Sequence, residues 1–132
     1  MDGEADAPVA EWIAYADSDM RVARLLVPHG LYGAIAYHCQ QAAEKWTKAL
    51  MVQIGVAPPK IHRIDKLFDL LGQSGVAIAD DLYEIADFLS PFAAATRYPG
   101  HGDVVSAKAL LAIDRAIALR AALVDRHGLG AL

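Results

Sequence analysis

The sequence predicts an all-α fold, and three features of its composition and pattern lead to that expectation. Apolar residues make up 55% of the 132 residues and charged residues 21%, which excludes a disordered chain. Aromatic residues are few, at 8%, while alanine is abundant, so helices are well supplied and strands poorly. Proline and glycine divide the chain into about five segments with apolar residues at helical spacing. We therefore expect one domain, with its core over about residues 9–127, built as an up-and-down antiparallel bundle of four to five helices.

The first two helices are predicted over about residues 9–27 and 31–54. Helix one has an apolar seam at alternating steps of three and four, formed by Ile13, Ala16, Met20, Ala23 and Val27. Helix two has one apolar arc of about 100°, formed by Ile35, Cys39, Ala42, Trp46, Ala49 and Leu50. The opposite side of helix two carries Tyr37, Gln41, Glu44 and Lys48. Along one border between the two sides, His38, Gln41 and Lys45 can direct polar groups into an interhelical groove.

Three further helices complete the predicted bundle. Helix three covers about residues 64–71, and its apolar face is formed by Ile64, Leu67, Phe68 and Leu71. Helix four begins near Asp81, where Asp81 and Glu84 predict a capping box, and Pro91 interrupts it. Helix five covers about residues 103–126 and ends at Gly128. Its inward face is predicted to consist of Leu110, Ile113, Ile117 and Val124.

Charge and cysteine content exclude several classes of protein. The net charge is −4, whereas a protein that holds duplex DNA through its phosphates usually carries a basic surplus, so we do not expect duplex DNA as a partner. The single cysteine, Cys39, cannot form an internal disulfide and is expected to be a buried small hydrophobe, as in a reducing cytoplasm. Metal-binding and phosphate-loop motifs are missing, so we expect no metal and no cofactor. We expect a cytoplasmic protein with no signal peptide and no membrane span.

Two stretches are open to a functional or a structural interpretation. Five bases lie between residues 44 and 66, and they form either an ordinary solvated face or a surface for an anionic ligand. The segment 97–102 cannot be regular helix and contains Arg97, Tyr98 and His101. These residues could hold a phosphate, stack a base and carry a proton, respectively. Alternatively, Arg97 caps the preceding helix and Tyr98 packs in a plain turn.

The residues of helix two resemble the signature of a known family. The string from Tyr37 to Lys45, followed by Lys48, is similar to the "H-x-Q-Q-A-x-E-K-x-x-K" pattern of the HEPN domain, the higher eukaryote and prokaryote nucleotide-binding family. His62 with Leu67 resembles the family's "H-x-x-x-x-L" stretch. The triplet that begins at Arg97 resembles its "R-Y-P". The resemblance covers about residues 10–125 and implies an up-and-down helical bundle, commonly a homodimer.

The resemblance also implies partners and an activity. Members of the family are often encoded beside a minimal nucleotidyltransferase, with which they form a two-component system of the toxin–antitoxin type. They are thought to bind nucleotides or RNA, and a subset are metal-independent ribonucleases with an R-x(4–6)-H motif. In this chain His101 follows Arg97 after only three residues.

The leading hypothesis is therefore a homodimeric HEPN module that binds nucleotide or RNA and works with a nucleotidyltransferase partner. Its candidate binding residues are His38, Gln41, Lys45, Arg97 and Tyr98. The alternative is a metal-independent endoribonuclease with Arg97 and His101 as catalytic residues and His38 as a possible substitute. A second alternative is a non-catalytic interaction module whose motif residues only fasten the helices.

Overall fold

Helices dominate the protein. The computed structural model describes residues 7–94 and 103–131 and contains, within those ranges, five α-helices and no β-strand. The helices are α1 (Val9–Leu26), α2 (Tyr32–Gln53), α3 (Ile64–Gln73), α4 (Asp80–Leu89) and α5 (Ser106–His127). Short 3₁₀ helices at Val27–His29 and Ser90–Ala93 follow α1 and α4. The predicted all-α fold is confirmed. Over the described ranges, every helix is too short or too polar to cross a bilayer.

Helices α1 and α2 form an antiparallel hairpin, and this pairing is the most extensive in the bundle. The turn between them ends at Gly30, which has a φ of 67° and adopts a left-handed conformation that favours glycine. Contacts across the hairpin show that the two helices are antiparallel. Asp19 contacts His38, whereas Asp17, which is earlier in α1, contacts Trp46, which is later in α2. The short connection and the opposite directions are those of an up-and-down bundle.

Helix α5 packs against α2 and runs in the same direction. Arg120 of α5 lies 5.8 Å from the ring centre of Trp46, near the middle of α2. Farther along both helices, the Gln53 amide donates to the Gly128 carbonyl at 2.8 Å and accepts from the Gly130 N–H at 2.7 Å. The end of α5 is thereby joined to the end of α2.

The core follows most of the predicted apolar faces. All the arc residues predicted for α2 are buried, and so is the whole predicted face of α3. In α1, Ala16, Met20 and Ala23 are buried as predicted. Ile13 is only half-buried, because the α1 side chain that enters the core one residue earlier is the larger Trp12. Val27 is also half-buried, and it lies beyond α1, in the 3₁₀ helix that follows.

The predicted inward face of α5 is wrong. Leu110, Ile117 and Val124 are 47%, 38% and 38% exposed, and Ile113 is half-buried. The side chains that face the core are instead Ala109, Ala112, Ala116, Leu119, Ala122 and Leu123. Alanine side chains allow the α5 backbone to approach its neighbours closely, so the face with smaller residues packs inward.

The predicted helix ends are partly confirmed. Gly128 ends α5 with a φ of 67°, and α4 ends before Pro91 as expected. The predicted capping box at Asp81 is wrong, because α4 begins at Asp80 and has no side-chain cap. Asp81 instead accepts two hydrogen bonds from Arg126 of α5, at 2.9 and 2.7 Å. Helix α5 begins at Ser106, later than the sequence predicts.

Candidate functional site

The Asp19 carboxylate of α1 binds two side chains of the predicted border of α2. One oxygen, Oδ1, lies 2.9 Å from His38 Nδ1, and the other, Oδ2, lies 2.6 Å from Lys45 Nζ. His38 and Lys45 are about two helical turns apart, so their side chains lie on the same edge of α2. The structure therefore brings together two of the predicted binding residues through an acid from the neighbouring helix.

His38 and Lys45 remain accessible, while Asp19 does not. The side chains of His38 and Lys45 are 27% and 26% exposed, but that of Asp19 is only 12% exposed. No described residue forms a hydrogen bond with His38 Nε2. Buried polar atoms without a partner do occur among the described residues, but Nε2 is not one of them. His38 Nε2 is therefore open to solvent and can meet a ligand.

Gln41 belongs to a different group of contacts. Its Nε2 donates to the Oε1 of the buried Gln40 at 2.7 Å. Gln40 in turn donates to the His62 carbonyl at 3.0 Å and to Glu44 Oε1 at 3.2 Å. The amide of Gln41 is thus connected to the segment before α3, whereas His38 and Lys45 are connected to α1.

A buried ion pair lies beside this amide chain. Glu44 and Lys48 are separated by 3.2 Å, and their side chains are 5% and 2% exposed. His62 Nδ1 lies 3.1 Å from the same carboxylate, and the Lys48 ammonium lies 5.9 Å from the ring centre of Trp12. The sequence placed Glu44 and Lys48 on the side of α2 opposite its apolar arc. The structure shows that this side is buried at both residues, which is possible because acid and base neutralise each other at a spacing of four residues.

Asp17 connects three helices near the same end of the hairpin. Its Oδ1 accepts from Trp46 Nε1 at 3.0 Å and from Arg120 Nε at 3.2 Å. Asp17 and Arg120 are about half exposed, so this contact contributes mainly by orienting the Trp46 indole rather than through charge. The arrangement fixes the face of α2 that carries the candidate site relative to α1 and α5.

Cys39 takes no part in the site. Burial raises the pKa of its thiol to about 12, and the nearby Arg24 offsets only part of that effect. A thiol in this state is neither a nucleophile nor a metal ligand at neutral pH. The prediction that Cys39 is a buried small hydrophobe is confirmed. Within the described ranges, no three His, Cys, Asp or Glu side chains are grouped as a metal site requires.

The predicted residues Arg97, Tyr98 and His101 lie outside the described residues. The described chain resumes at Asp103, which lines a shallow depression of about 420 Å³ together with Val104 and the beginning of α2. The depression is open at the turn between α1 and α2. Neither His38 nor Lys45 lines it.

Sequence reasoning missed Asp19. It is seven residues after the buried Trp12 and seven before the half-buried Leu26, so the three residues share one face of α1. An acid in register with large apolar residues on an amphipathic helix is the signal that could have identified it, because such an acid requires a partner from the neighbouring helix.

The architecture and the site define an all-α, up-and-down bundle with a polar cluster on the outer edge of its longest hairpin. The sequence model of the HEPN domain matches residues 9–126. The structure is similar to that of TT1696 from Thermus thermophilus, with a TM-score of 0.76 and 28% identity over 86% of this chain and 93% of that one. It is also similar to ST0689, an archaeal HEPN homologue, with a TM-score of 0.68 and 25% identity over 87% of this chain and 93% of that one. A comparison with curated proteins finds no significant match.

This chain belongs to the HEPN family, since the family model covers almost the whole bundle, from the first residue of α1 to the last turn of α5. The resemblance drawn from the helix-two string is thereby confirmed.

Proposed function

We propose that this protein is a HEPN module that binds nucleotide or RNA through the outer edge of α2. The observation that carries the proposal is the pair of His38 and Lys45, which lie side by side on one carboxylate and remain open to solvent. An ammonium group attracts phosphate, and an imidazole can bond a sugar, a base or a phosphate. Arg97 and Tyr98 are the proposed further contacts, as a phosphate ligand and a stacking platform.

Titration calorimetry with nucleoside monophosphates and short single-stranded RNAs tests this proposal. The wild-type protein is expected to bind, and Lys45→Gln and Arg97→Ala are expected to weaken binding several-fold, because each removes one charge contact with phosphate. Arg115→Ala, which changes an exposed residue of α5, is the matched control for the loss of one positive charge. Absence of heat for every ligand, or equal affinity in all four proteins, would rule the binding site out.

The same RNA mixtures distinguish binding from cleavage. A binding module leaves RNA intact in the presence of EDTA at high protein concentration. Fragments that end in a 2′,3′-cyclic phosphate, and that disappear in His101→Ala, would instead establish the metal-independent ribonuclease alternative. If neither binding nor cleavage occurs and Arg97→Ala only lowers the melting temperature, the protein is an interaction module.

We also propose that the protein is a homodimer that uses the outer face of α5. Leu110, Ile117 and Val124 form a partly exposed apolar stripe at steps of seven residues. If two copies of α5 cross antiparallel at Ile117, Leu110 of one copy lies opposite Val124 of the other. The same crossing brings Asp114 of one copy near Arg120 of the other, whose side chain is 44% exposed although its Nε donates to Asp17 of its own chain.

Light scattering coupled to gel filtration tests the dimer. The wild-type protein is expected at twice the mass of the chain, and Ile117→Glu is expected at the mass of one chain, because a charge at the crossing point cannot be buried without a partner. Leu25→Glu is the control, since Leu25 is 62% exposed on α1, away from the stripe. A wild-type monomer, or a dimer that survives Ile117→Glu, would contradict this interface.

The proposed partner protein is a minimal nucleotidyltransferase, as the family membership suggests. A nucleotidyltransferase gene beside the gene for this chain, and co-purification of the two products after co-expression, are the expected results. If the neighbouring product shows no association with this protein at micromolar concentrations, the two-component assignment fails and the binding assays above are unaffected.

A further inference from the structure

The arrangement around Asp19 fixes which nitrogen of His38 carries a proton. An ionised carboxylate can only accept hydrogen bonds, so the 2.9 Å contact requires a proton on His38 Nδ1. In the neutral imidazole the other nitrogen, Nε2, is then an acceptor. Because Nε2 is open to solvent and has no partner among the described residues, it is available to a group that donates a hydrogen bond.

Lys45 completes the arrangement with a group of the opposite kind. Its ammonium has three N–H donors, and Asp19 Oδ2 takes one of them at 2.6 Å. His38 and Lys45, which bind the two oxygens of one carboxylate, therefore present on one edge of α2 an acceptor, Nε2, and a positive donor, Nζ. A ligand that matches this edge has a hydroxyl group next to an anionic oxygen. Asp19 is mostly buried and does not itself meet the ligand.

We propose that His38 and Lys45 recognise a ribose 2′-hydroxyl next to a phosphate, and that Asp19 is the positioning residue that makes His38 Nε2 the acceptor. This inference rests on the proposed nucleotide or RNA binding and adds the specificity for ribose over deoxyribose. The 2′-hydroxyl is the group that distinguishes RNA from DNA, and an acceptor directed at it rejects the deoxy ligand. The Lys45 ammonium binds the neighbouring phosphate of either sugar and confers no discrimination of its own.

Binding measurements with matched ribose and deoxyribose ligands test the proposal. The ligands are adenosine 3′-monophosphate and a single-stranded RNA hexamer, each with its 2′-deoxy counterpart, so the nucleotide and polymer sources are measured separately. The wild-type protein is expected to prefer the ribose form of at least one pair by about two- to tenfold, the worth of one hydrogen bond. Asp19→Ala is expected to reduce that ratio to about one, and Asp19→Asn, which keeps an acceptor oxygen for Nδ1, to retain it.

Two controls separate positioning from a loss of structure. Glu11→Ala removes an acid from an exposed position of the same helix and should leave the ribose preference unchanged. His38→Phe keeps a ring of similar size and removes Nε2, so it should lose the ribose preference. This variant takes the place of Asp19→Ala in the test if Asp19→Ala does not fold. In the free protein, the ¹⁵N chemical shifts of the His38 ring should show a proton on Nδ1 in the wild type and a change of tautomer in Asp19→Ala.

The possible outcomes distinguish this inference from the proposed function. If the wild-type protein binds ribose and deoxyribose ligands equally, or if Asp19→Ala keeps the preference, the inference is overturned and nucleotide binding stands. If no ligand binds, the proposed function and the ribose assignment both fail. A wild-type His38 without a proton on Nδ1 would overturn the positioning role of Asp19 whatever the ligands do.

Discussion

Removing one member of the buried Glu44–Lys48 pair should destabilise the protein strongly. At 3.2 Å, two unit charges attract each other by about 5 kcal/mol at an effective dielectric constant of about 20. Burial of both side chains has already removed most of their hydration, so this attraction only offsets a cost of similar size. Lys48→Met leaves the carboxylate with Gln40 and the exposed His62 but without its buried cation. The expected loss is about 3–5 kcal/mol of unfolding free energy.

The complementary change should have the same effect, and the two together should largely cancel. Glu44→Leu leaves a buried ammonium without a carboxylate and should also cost about 3–5 kcal/mol. The double variant Glu44→Leu with Lys48→Met replaces the pair with apolar side chains of similar volume and should lie within about 1 kcal/mol of the wild type. Lys66→Met, an exposed change of the same type on α3, should stay within about 0.5 kcal/mol.

Equilibrium unfolding in urea, followed by tryptophan fluorescence, measures these differences. Trp12 and Trp46 are 5% and 1% exposed, so both report the loss of the core. The total stability of a domain of this size is about 5–15 kcal/mol, and a single variant should therefore lose about a fifth of it or more. Single variants that lose less than about 1 kcal/mol, or a double variant that loses the sum of the two, would refute the reasoning that burial makes the partners interdependent.

Three further predictions follow from shifted pKa values. Because burial raises the pKa of the Cys39 thiol to about 12, the native protein should resist a thiol reagent at about pH 8 and react on unfolding. Burial and the hydrogen bond to Asp69 raise the pKa of Tyr83 to about 12, so the stability that Tyr83 contributes, complete below about pH 10, should disappear as the pH rises to about 12. A rise in tyrosinate absorbance near 295 nm at this high pH, absent in Tyr83→Phe, checks the prediction. The Arg126 guanidinium lowers the pKa of Asp81, so the gain in melting temperature of wild type over Asp81→Asn at neutral pH should vanish as the pH falls well below about 3.8.

Apolar periodicity predicted the helices well but could not orient α5. The helix carries two apolar stripes, one of alanines around Ala112 and one of larger side chains around Ile117. A hydrophobicity pattern gives the larger residues more weight, whereas the packing distance between helices selects the smaller ones. The orientation of such a helix therefore depends on its neighbours, which the pattern of one segment does not contain.

The polar residues of α2 show a similar division. The sequence identified His38 and Lys45 as groove residues, and the structure places both at an accessible edge. The sequence did not identify Asp19, because the contacts of Asp19 with His38 and Lys45 join residues that are 19 and 26 positions apart in the chain. The roles of Arg97, Tyr98 and His101 stay predictions, since these residues lie outside the part of the chain that the structure describes.

The small side chains between α5 and α2 have a consequence for any partner that docks on α5. Where only methyl groups separate two helix backbones, no flexible side chain is present that could rearrange to accommodate a larger neighbour. A larger side chain at Ala112 or Ala116 would displace helix α5 outward, and Ile117 would move with it. If the proposed α5 dimer forms, substitutions at these buried alanines should weaken the association of the two copies, and dimer formation should in turn oppose the displacement of α5.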